Sequence, residues 1–298
     1  RDLHLSLRRQ RQMCIRDRTW KTCRTRTDYW YQDDTSGKGV TAKDVRSARL
    51  EELKFVDVIK LWELVLRPHD KRVIGTRWVD TNAGDENAYS VRSRLVGQEI
   101  KRKGTIEQFF AGTPPLSALG ILISLAVTTK VPEVEAARPS RSRYLLQFID
   151  VKKAHVWALA EREIYVEIPE EYKKLHGITT DIVGQLKRSM YGMRDAAQLW
   201  EKLVAVEMEK LGFKRGLSNG CLFYHPVRDL RTSVHGDNVS SLGPRPNLEW
   251  FEAQLKKIWE IKLEGLLGPP DEGDCVHDMC TLNRLLTWSS QGLSLIHI

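Results

Sequence analysis

Two aspartates, Asp150 and Asp237, lie in surroundings that suit phosphate chemistry. Asp237 belongs to residues 232–243, where β-favouring residues flank a turn-prone centre of sequence H-G-D-N. Gly, Asp and Asn tolerate the left-handed backbone of tight turns, so the stretch predicts a β-hairpin with a carboxylate at its tip. Residues 144–149 predict a strand buried on both faces, and Asp150 follows directly. Two such carboxylates could hold a divalent metal against a phosphate.

Each aspartate also has an ordinary interpretation. Most Gly-Asp-Asn stretches are simply turns. Asp150 could equally be a solvated carboxylate at a strand end or the N-cap of a helix. The pair therefore predicts a metal site only if the fold brings the two strand ends to a common edge.

The charge of the chain is distributed unevenly. The net charge is +8 at pH 7, but residues 1–30 alone contribute +6 and the other 268 residues only +2. A basic protein usually suggests nucleic-acid binding, but here the charge is not evidence for it in the folded part. The hydrophobic fraction of 41% is typical of a soluble globular protein. No apolar run approaches the roughly 20 residues that span a bilayer, so we expect no membrane partner and no secretory signal.

Cysteine usage and the chain ends give weaker signals. Five cysteines without framework spacing predict a reduced, intracellular protein. Cys275, His277 and Cys280 could supply three zinc ligands, but no second pair lies at finger spacing. Residues 1–30 form either a disordered arm or a nucleic-acid-binding arm. We also hypothesise that residues 13–18 and 293–298 are translated adaptor sequence, an idea that re-amplifying the locus and finding the same codons would reject.

Hydrophobic spacing, caps and turns predict the elements that position the two aspartates. The predicted helices cover residues 41–59, with a capping box at its start, a segment beginning at Thr113-Pro114-Pro115, residues 195–211, which end before Gly212, and residues 248–258. In the second helix the predicted buried positions are Leu116, Leu119, Ile123 and Val127. The predicted strands cover residues 74–79, 91–96, 144–149, 163–168, 183–186 and 260–263, besides the hairpin of residues 232–243. A charged loop is predicted at residues 138–143 and a turn around Tyr191 and Gly192.

This order of elements predicts an α+β fold in which two acids from separate strand ends face a common edge. The strands at residues 74–79 and 91–96, joined by a turn at residues 82–85, predict a basic hairpin. Its basic residues, on the hairpin or just after it, are Arg77, Arg92, Arg94, Lys101, Arg102 and Lys103.

Several short motifs follow one another in a recognisable order. They are W-E-L-V (residues 62–65), I-G-T-R-W-V (74–79), R-L-V (94–96), I-D-V-K-K-A-H (149–155), I-Y-V-E (164–167), L-K-R-S-M-Y-G-M (186–193), Trp200 and G-F (212–213). In this order and spacing they resemble the reverse transcriptase domain of copia-type (Ty1/copia) retrotransposons. The resemblance extends from about residue 62 to residue 263, and many modest motifs in register make it specific.

The resemblance implies a right-hand polymerase with fingers and palm, in which an antiparallel palm sheet carries helices on one face. Asp150 would be the first catalytic aspartate and Asp237 the second, and both would bind Mg²⁺ or Mn²⁺. Asn238 would occupy the position of a third acid, a degenerate member of the catalytic set. Such sites use two cations to activate the primer 3′-hydroxyl and to hold the leaving pyrophosphate.

The resemblance also implies partners and substrate-binding residues. A template-primer of RNA or DNA and deoxynucleoside triphosphates would be bound, with Arg92 or Arg94 contacting the triphosphate. His155 occupies the position of an aromatic residue that rejects the ribose 2′-hydroxyl, although it could also be a plain loop histidine. Tyr191 and Gly192 would belong to the motif that grips the template.

Three positions depart from the family pattern. Asn238 replaces a carboxylate by a neutral amide, which weakens metal binding. His155 replaces a larger ring, which puts sugar discrimination in doubt. Asp195 and Ala197 stand where Gln and Pro are common in the template-grip motif, which puts nucleotide stacking in doubt.

The sequence thus predicts four segments: a basic tail (residues 1–30), a helical lead-in (31–60), fingers and palm (61–265) and a truncated connection toward an absent RNase H domain (266–298). The predicted activity is templated addition of deoxynucleotides in an intracellular retroelement particle or the nucleus. One alternative is an inactive relic that keeps the fold and at most binds nucleic acid, which Asn238 favours. A second alternative, an unrelated metal-dependent nuclease, would need further acids near Asp150 and Asp237.

Overall fold

The structure is a computed structural model that describes residues 31–84, 90–100, 109–128 and 144–297. The basic tail, the residues 101–103 of the predicted basic hairpin and the predicted charged loop at residues 138–143 lie outside these ranges. The helices are α1 (Ala42–Ile59), α2 (Leu116–Thr128), α3 (Glu170–His176), α4 (Ala196–Lys210) and α5 (Arg245–Ile258). A short 3₁₀ turn covers Ala154–Trp157.

Seventeen strands lie in the described ranges. In chain order they are β1 (Tyr31–Gln32), β2 (Gly39–Val40), β3 (Trp62–Leu66), β4 (Val73–Ile74), β5 (Thr76–Asn82), β6 (Val91–Gly97), β7 (Tyr144–Val151), β8 (Tyr165–Val166), β9 (Ile182–Leu186), β10 (Lys214–Arg215), β11 (Leu222–His225), β12 (Leu230–His235), β13 (Asn238–Pro244), β14 (Ile261–Leu267), β15 (Asp278–Thr281), β16 (Arg284–Ser289) and β17 (Gly292–His297). The mixture of helices and largely antiparallel sheets confirms the predicted α+β class.

A six-stranded antiparallel sheet forms the centre, in the order β10-β11-β12-β13-β7-β14. Strands β12 and β13 are the predicted hairpin, joined by a two-residue turn. Strand β7 lies between β13 and β14, although 86 residues separate Val151 from Asn238 in the sequence. Seven of the eight β7 residues are buried, as the apolar run predicted.

Helices cover both faces of this sheet, which corrects the expectation of helices on one face. Leu145 and Ile149 of β7 pack with α4 and α5 in one core. Leu146 and Phe148 point to the opposite face and pack with α2 and with the three-stranded sheet β15-β16-β17. Because side chains alternate along a strand, an apolar run such as β7 needs a cover on each side.

The second core lies in the N-terminal half. A four-stranded sheet, β3-β9-β8-β4, packs with α1, and hairpin β5–β6 lies next to it. Helix α1 begins as predicted, since the Thr41 side chain accepts a hydrogen bond from Asp44 N. These elements place β6 beside the end of the central sheet.

Some predicted element limits were wrong. Of the predicted strand at residues 163–168 only Tyr165–Val166 is extended, and the strand at residues 74–79 is divided into β4 and β5. In α2 the helix predicted after Pro115 is present, but Val127 is 48% exposed, while Leu122 and Ala126 are buried instead. Among the described helices none is long and apolar enough to cross a membrane.

Candidate active site

Asp150 lies in the middle of a row of three side chains at the end of the central sheet. Asn238 of β13 pairs with it on one side and Lys262 of β14 on the other. Directly paired residues of antiparallel strands point to the same face, so the amide and the amine flank the half-buried carboxylate. The predicted end of the strand at residue 149 was two residues too early, because Asp150 is paired on both sides and β7 ends at Val151.

Asp237 is brought to Asp150 by the tip of the β12–β13 hairpin. The turn consists of Gly236 and Asp237, and Gly236 has the left-handed φ of +64° that a tight hairpin turn requires. Val151 N donates a hydrogen bond of 2.9 Å to Asp237 O. Trp200 Nε1, buried on α4, donates one of 2.7 Å to Gly236 O. The turn is therefore fixed from two sides, and Asp237 remains exposed at its tip.

Charge is concentrated around Asp150. Burial raises the pKa of Asp150, and the negative charges of Asp237 and Glu264 raise it further. The positive charges of Lys262 and Arg92 act in the opposite direction without cancelling this shift. The ionised form of Asp150 is thus disfavoured by burial and by two neighbouring carboxylates, and a bound cation would offset both effects.

The donor set consists of two carboxylates and an amide. The side-chain amide of Asn238 donates to Asp237 Oδ1 over 3.2 Å, so its carbonyl oxygen is left for another partner. Within the described ranges no group of three or more His, Cys, Asp or Glu side chains is arranged to hold a metal ion. Two carboxylates fit Mg²⁺ or Mn²⁺, since these ions bind one or two protein carboxylates and complete their shell with water and substrate phosphates.

The two predicted arginines of β6 face this end of the sheet. Arg92 and Arg94 are both exposed and alternate with buried residues of the same strand. The charge of Arg92 acts on Asp150, and the Arg94 guanidinium carbon lies 5.7 Å from the centre of the Tyr191 ring. Hairpin β5–β6 therefore presents two cations beside two carboxylates.

His155 and Tyr191 form an aromatic pair next to the carboxylates. Their ring centres are 5.0 Å apart and the rings meet edge to face. Burial lowers the pKa of His155, and the charge of Asp237 only partly offsets this effect. The ring is thus neutral near pH 7, and its buried Nδ1 has no hydrogen-bond partner among the residues that the structure describes. Burial also raises the pKa of the Tyr191 hydroxyl.

Gly192 packs against the end of β6. Its φ is +83°, and a Cβ at this position would lie 2.0 Å from Gly97 O. Next to it, Gly97 N donates a 2.7 Å hydrogen bond to Tyr191 O. The turn predicted around Tyr191 and Gly192 is present, and it attaches the end of β6 to the segment that precedes α4.

Sequence reasoning missed Lys262 and Glu264, which act on the charge of Asp150. Residues 260–263 were predicted as a strand, but nothing local indicates that this strand pairs with β7. The three candidate zinc ligands have protein partners of their own or lie exposed: Arg245 Nη2 donates to Cys275 Sγ, His277 Nδ1 lies 3.2 Å from Gly268 O, and Cys280 is exposed.

Residues 59–229 match the protein family described as reverse transcriptase (RNA-dependent DNA polymerase). This match covers more than half of the chain and includes Asp150, Arg92, Arg94, His155 and Tyr191. The chain belongs to the reverse transcriptase family.

Transposon proteins are the curated relatives of this reverse transcriptase-family chain. It is 27% identical over 184 residues to the retrovirus-related Pol polyprotein from transposon TNT 1-94 of Nicotiana tabacum, which covers 59% of this chain and 12% of the relative. It is 24% identical over 167 residues to the Pol polyprotein from transposon RE2 of Arabidopsis thaliana. That alignment covers 54% of this chain and 10% of the relative. The predicted resemblance to copia-type reverse transcriptases is confirmed, and the chain spans about a tenth of the length of these relatives.

Two solved structures are similar over most of the chain. Telomerase from Candida albicans aligns over 90% of this chain and 54% of its own, with a TM-score of 0.46 and 8% identity. A foamy viral protease-reverse transcriptase, solved with double-stranded DNA, aligns over 84% of this chain and 35% of its own, with a TM-score of 0.42 and 12% identity.

Proposed function

We propose that this chain is an RNA-directed DNA polymerase, the reverse transcriptase domain of a copia-like retroelement, that adds deoxynucleotides to the 3′-hydroxyl of a primer. The observation that carries the proposal is the meeting of Asp150 and Asp237 at one end of the central sheet. Their backbones are linked by the 2.9 Å hydrogen bond from Val151 N to Asp237 O, and the charge of Asp237 contributes to the raised pKa of Asp150.

Asp150 and Asp237 would hold the divalent cation, Mg²⁺ or Mn²⁺. When bound, the cation supplies a Lewis acid that makes the primer 3′-hydroxyl more acidic and neutralises charge on the leaving pyrophosphate. The raised pKa of Asp150 supports this role, because a cation offsets both the burial of the carboxylate and its repulsion by Asp237.

Arg92 and Arg94 would bind the triphosphate of the incoming nucleotide. Both guanidinium groups are exposed on β6, and arginine binds phosphate oxygens through two parallel hydrogen bonds. Arg92 is the better candidate for the phosphates nearest the cation, since its charge acts on Asp150. Arg94 lies over Tyr191 and would bind closer to the nucleoside.

His155 and Tyr191 would contact the nucleoside. The charge of Asp237 acts on both rings of this edge-to-face pair. The buried Nδ1 of His155 has no hydrogen-bond partner in the described part of the chain.

The chain would also bind an RNA or DNA template-primer and the other domains of the polyprotein. It would act in a cytoplasmic retroelement particle or in the nucleus.

A second candidate function is that of an inactive relic that keeps the fold and at most binds nucleic acid. Asn238 favours it, because this amide lies directly beside Asp150 and is hydrogen-bonded to Asp237, where a carboxylate would face the cation. A unit charge about 4 Å from another is worth roughly 4 kcal/mol at an effective dielectric constant near 20. Loss of one carboxylate beside a dication is thus enough to reduce turnover severely.

Primer extension on a poly-rA template with an oligo-dT primer and dTTP tests the proposal. The unaltered chain is compared with its Asn238→Asp variant, in Mg²⁺ and in Mn²⁺. We expect the variant to extend the primer at least about tenfold faster, for the electrostatic reason above. Adding Asp150→Asn to that variant is the control and must abolish extension.

The outcomes separate the two candidates. Extension by both proteins supports the enzyme, and extension by the Asn238→Asp variant alone supports the relic with a correctly assigned site. If both proteins are folded by circular dichroism and neither extends the primer in either metal, the polymerase proposal is rejected.

A further inference from the structure

Arg162, in the loop before β8, makes two forked ion pairs at once. Its Nε and Nη2 donate to the two carboxylate oxygens of Asp195 over 2.7 and 2.8 Å. Its Nη1 and Nη2 donate to the two carboxylate oxygens of Glu99 over 2.9 Å each. The side chains of Glu99 and Asp195 are only 9% and 5% exposed. Buried carboxylates of this kind are stable when paired and hydrogen-bonded.

The ion cluster of Arg162, Glu99 and Asp195 joins three segments that are distant in sequence. Glu99 follows β6 by two residues, and Asp195 is the N-cap residue of α4. Asp195 makes no side-chain cap hydrogen bond to its helix, because its carboxylate is bound to Arg162. Phe109 covers the cluster, with the Arg162 guanidinium carbon 4.7 Å from its ring centre.

Glu99 also forms a hydrogen bond with the segment before α4. Its Oε2 also accepts a 2.8 Å hydrogen bond from Arg194 N. Burial alone would raise the pKa of Glu99, but the hydrogen bonds from Arg162 and Arg194 N outweigh it and lower the pKa. Glu99 therefore stays ionised and bound to Arg162 at neutral pH.

Close in sequence to both carboxylates lies the contact between β6 and the turn that bears Tyr191. Gly97 N bonds to Tyr191 O, and Gly192 packs against the Gly97 backbone so closely that no side chain fits. Glu99 and Asp195 are respectively two and three residues from this contact. Arg162 therefore holds β6, which bears Arg92 and Arg94, against the turn that bears Tyr191.

The cluster also gives a reason for Asp195, which stands where glutamine is common in the family. A buried carboxylate in place of a neutral amide would be unfavourable without a cation. Arg162 supplies that cation with both fork hydrogen bonds. At this position the departure is compensated by a partner within the same chain, unlike Asn238.

We propose that Arg162 is a positioning residue of the nucleotide site, which acts through Glu99 and Asp195 to fix β6 against the Tyr191 turn. The inference rests on the proposed polymerase function for its effect on catalysis, but its structural part does not. Arg162 itself touches neither substrate nor the reacting atoms in this assignment.

The test compares three variants of the full chain: Arg162→Lys, Asp195→Gln and, as a control, Arg67→Lys. Lysine keeps the charge but cannot make the two forks. Arg67 is the control, because it also pairs with two carboxylates, beside the sheet that contains β9. It makes a fork with Glu167, and its Nε–H is shared between the two carboxylate oxygens of Asp181. If Arg162→Lys does not fold, Asp195→Gln still answers, since it removes one fork and keeps the pair with Glu99.

Two measurements are made on each protein. Amide hydrogen exchange is followed at Val91–Gly97 and at residues 190–194, with α5 as the remote reference. The KM for dTTP and kcat are measured in primer extension, in the Asn238→Asp background if the unaltered chain is inactive.

We expect Arg162→Lys to speed exchange in both segments but not in α5, and to raise the KM about tenfold with kcat changed by less than about threefold, because a misplaced β6 weakens nucleotide binding. Asp195→Gln should do the same to a smaller extent, and Arg67→Lys should change neither quantity.

Unchanged exchange in the two segments overturns the inference, as does an equal rise in α5, which would indicate general destabilisation. In an active protein, an unchanged KM also overturns it. Faster exchange confined to the two segments, in a protein that never extends the primer, supports the positioning role while the polymerase proposal fails.

Discussion

At the scale of single residues, Asp150 has the properties of a group placed for function at the expense of stability. Its pKa is raised by burial first and then by the charges of Asp237 and Glu264. When folding raises the pKa of a carboxyl group, its ionised form at neutral pH is less stable in the folded protein than in the unfolded chain. Stability and the proposed metal binding therefore make opposite demands on this side chain.

Asp150→Asn should increase the free energy of unfolding at pH 7 while it abolishes primer extension. Below the ordinary pKa of 3.8 the carboxyl is protonated in both states and its effect on stability is absent. As the pH rises above 3.8, the carboxyl group of the unfolded state ionises first, and the folded protein loses stability until the pH exceeds its own raised pKa. Asparagine does not ionise and therefore avoids this loss.

Urea unfolding of the parent and of Asp150→Asn, in metal-free buffer at pH 7 and at pH 3.5, checks this prediction. The gain in stability should be present at pH 7 and should disappear at pH 3.5. Equal stability of the two proteins at pH 7, or a less stable variant, would contradict the conclusion that ionised Asp150 destabilises the folded protein.

His155→Phe should increase selection for deoxynucleotides by about tenfold, since small differences in pocket volume are worth 10- to 200-fold in discrimination. The larger ring would fill the space beside Tyr191 and would remove the unpartnered Nδ1. The ratio of kcat/KM for dTTP to that for UTP measures it, in whichever background is active. His225→Phe, a buried histidine packed against Phe213 and Trp250, is the control and should leave the ratio unchanged.

At the scale of elements, the turn before α4 and the end of β6 meet through two glycines. Gly192 has a left-handed φ of +83°, and an added Cβ would lie 2.0 Å from Gly97 O. A left-handed backbone costs a non-glycine residue about 1 to 2 kcal/mol, and the clash adds to that cost here because both atoms belong to fixed backbone.

Gly192→Ala should therefore lower the free energy of unfolding by about 3 kcal/mol. Gly177→Ala is the matched control, since Gly177 has a φ of +64° and nothing within 4 Å of an added Cβ. This variant should lose only the backbone cost of about 1 kcal/mol. Urea denaturation midpoints at equal m-values measure both, and equal losses would show that the contact with Gly97 is not tight.

At the scale of the whole molecule, the described part places three cationic side chains (Arg92, Arg94 and Lys262) and three anionic ones (Asp150, Asp237 and Glu264) at one end of the central sheet. Most of the net charge lies elsewhere in the sequence. Residues 1–30 account for +6 of the net +8. Attraction to nucleic acid through net charge and binding in the site are thus separable properties of the chain.

Deletion of residues 1–30 should weaken binding to an RNA·DNA hybrid and should flatten its salt dependence, because each lost phosphate contact reduces the slope of log K against log salt by about 0.9 for duplex DNA. The thermal melting temperature of the remaining chain should stay within about 2 °C of the parent, since the effect is electrostatic. Fluorescence anisotropy at 50 and 200 mM salt measures the slope. An unchanged slope would show that the phosphate contacts come from residues 31–298.

The sequence by itself determined the elements whose signals are local. The Thr41 cap, the hairpin around Asp237, the buried character of β7 and the turn at Gly192 follow from nearest-neighbour conformational preferences and from the spacing of apolar residues. The family motifs added the order of these elements. Together they predicted the class of the fold and the residues at the candidate site.

Only the tertiary structure decided which distant segments meet. The pairing of Lys262 with Asp150, the position of α2 opposite α4 and α5, and the ion cluster around Arg162 join residues that are 33 to more than 100 positions apart. No local preference encodes such contacts, because they depend on strand register and on how burial and charge are satisfied across the whole molecule. The chemistry of Asp150 was visible in the sequence, but its electrostatic surroundings were created by the fold.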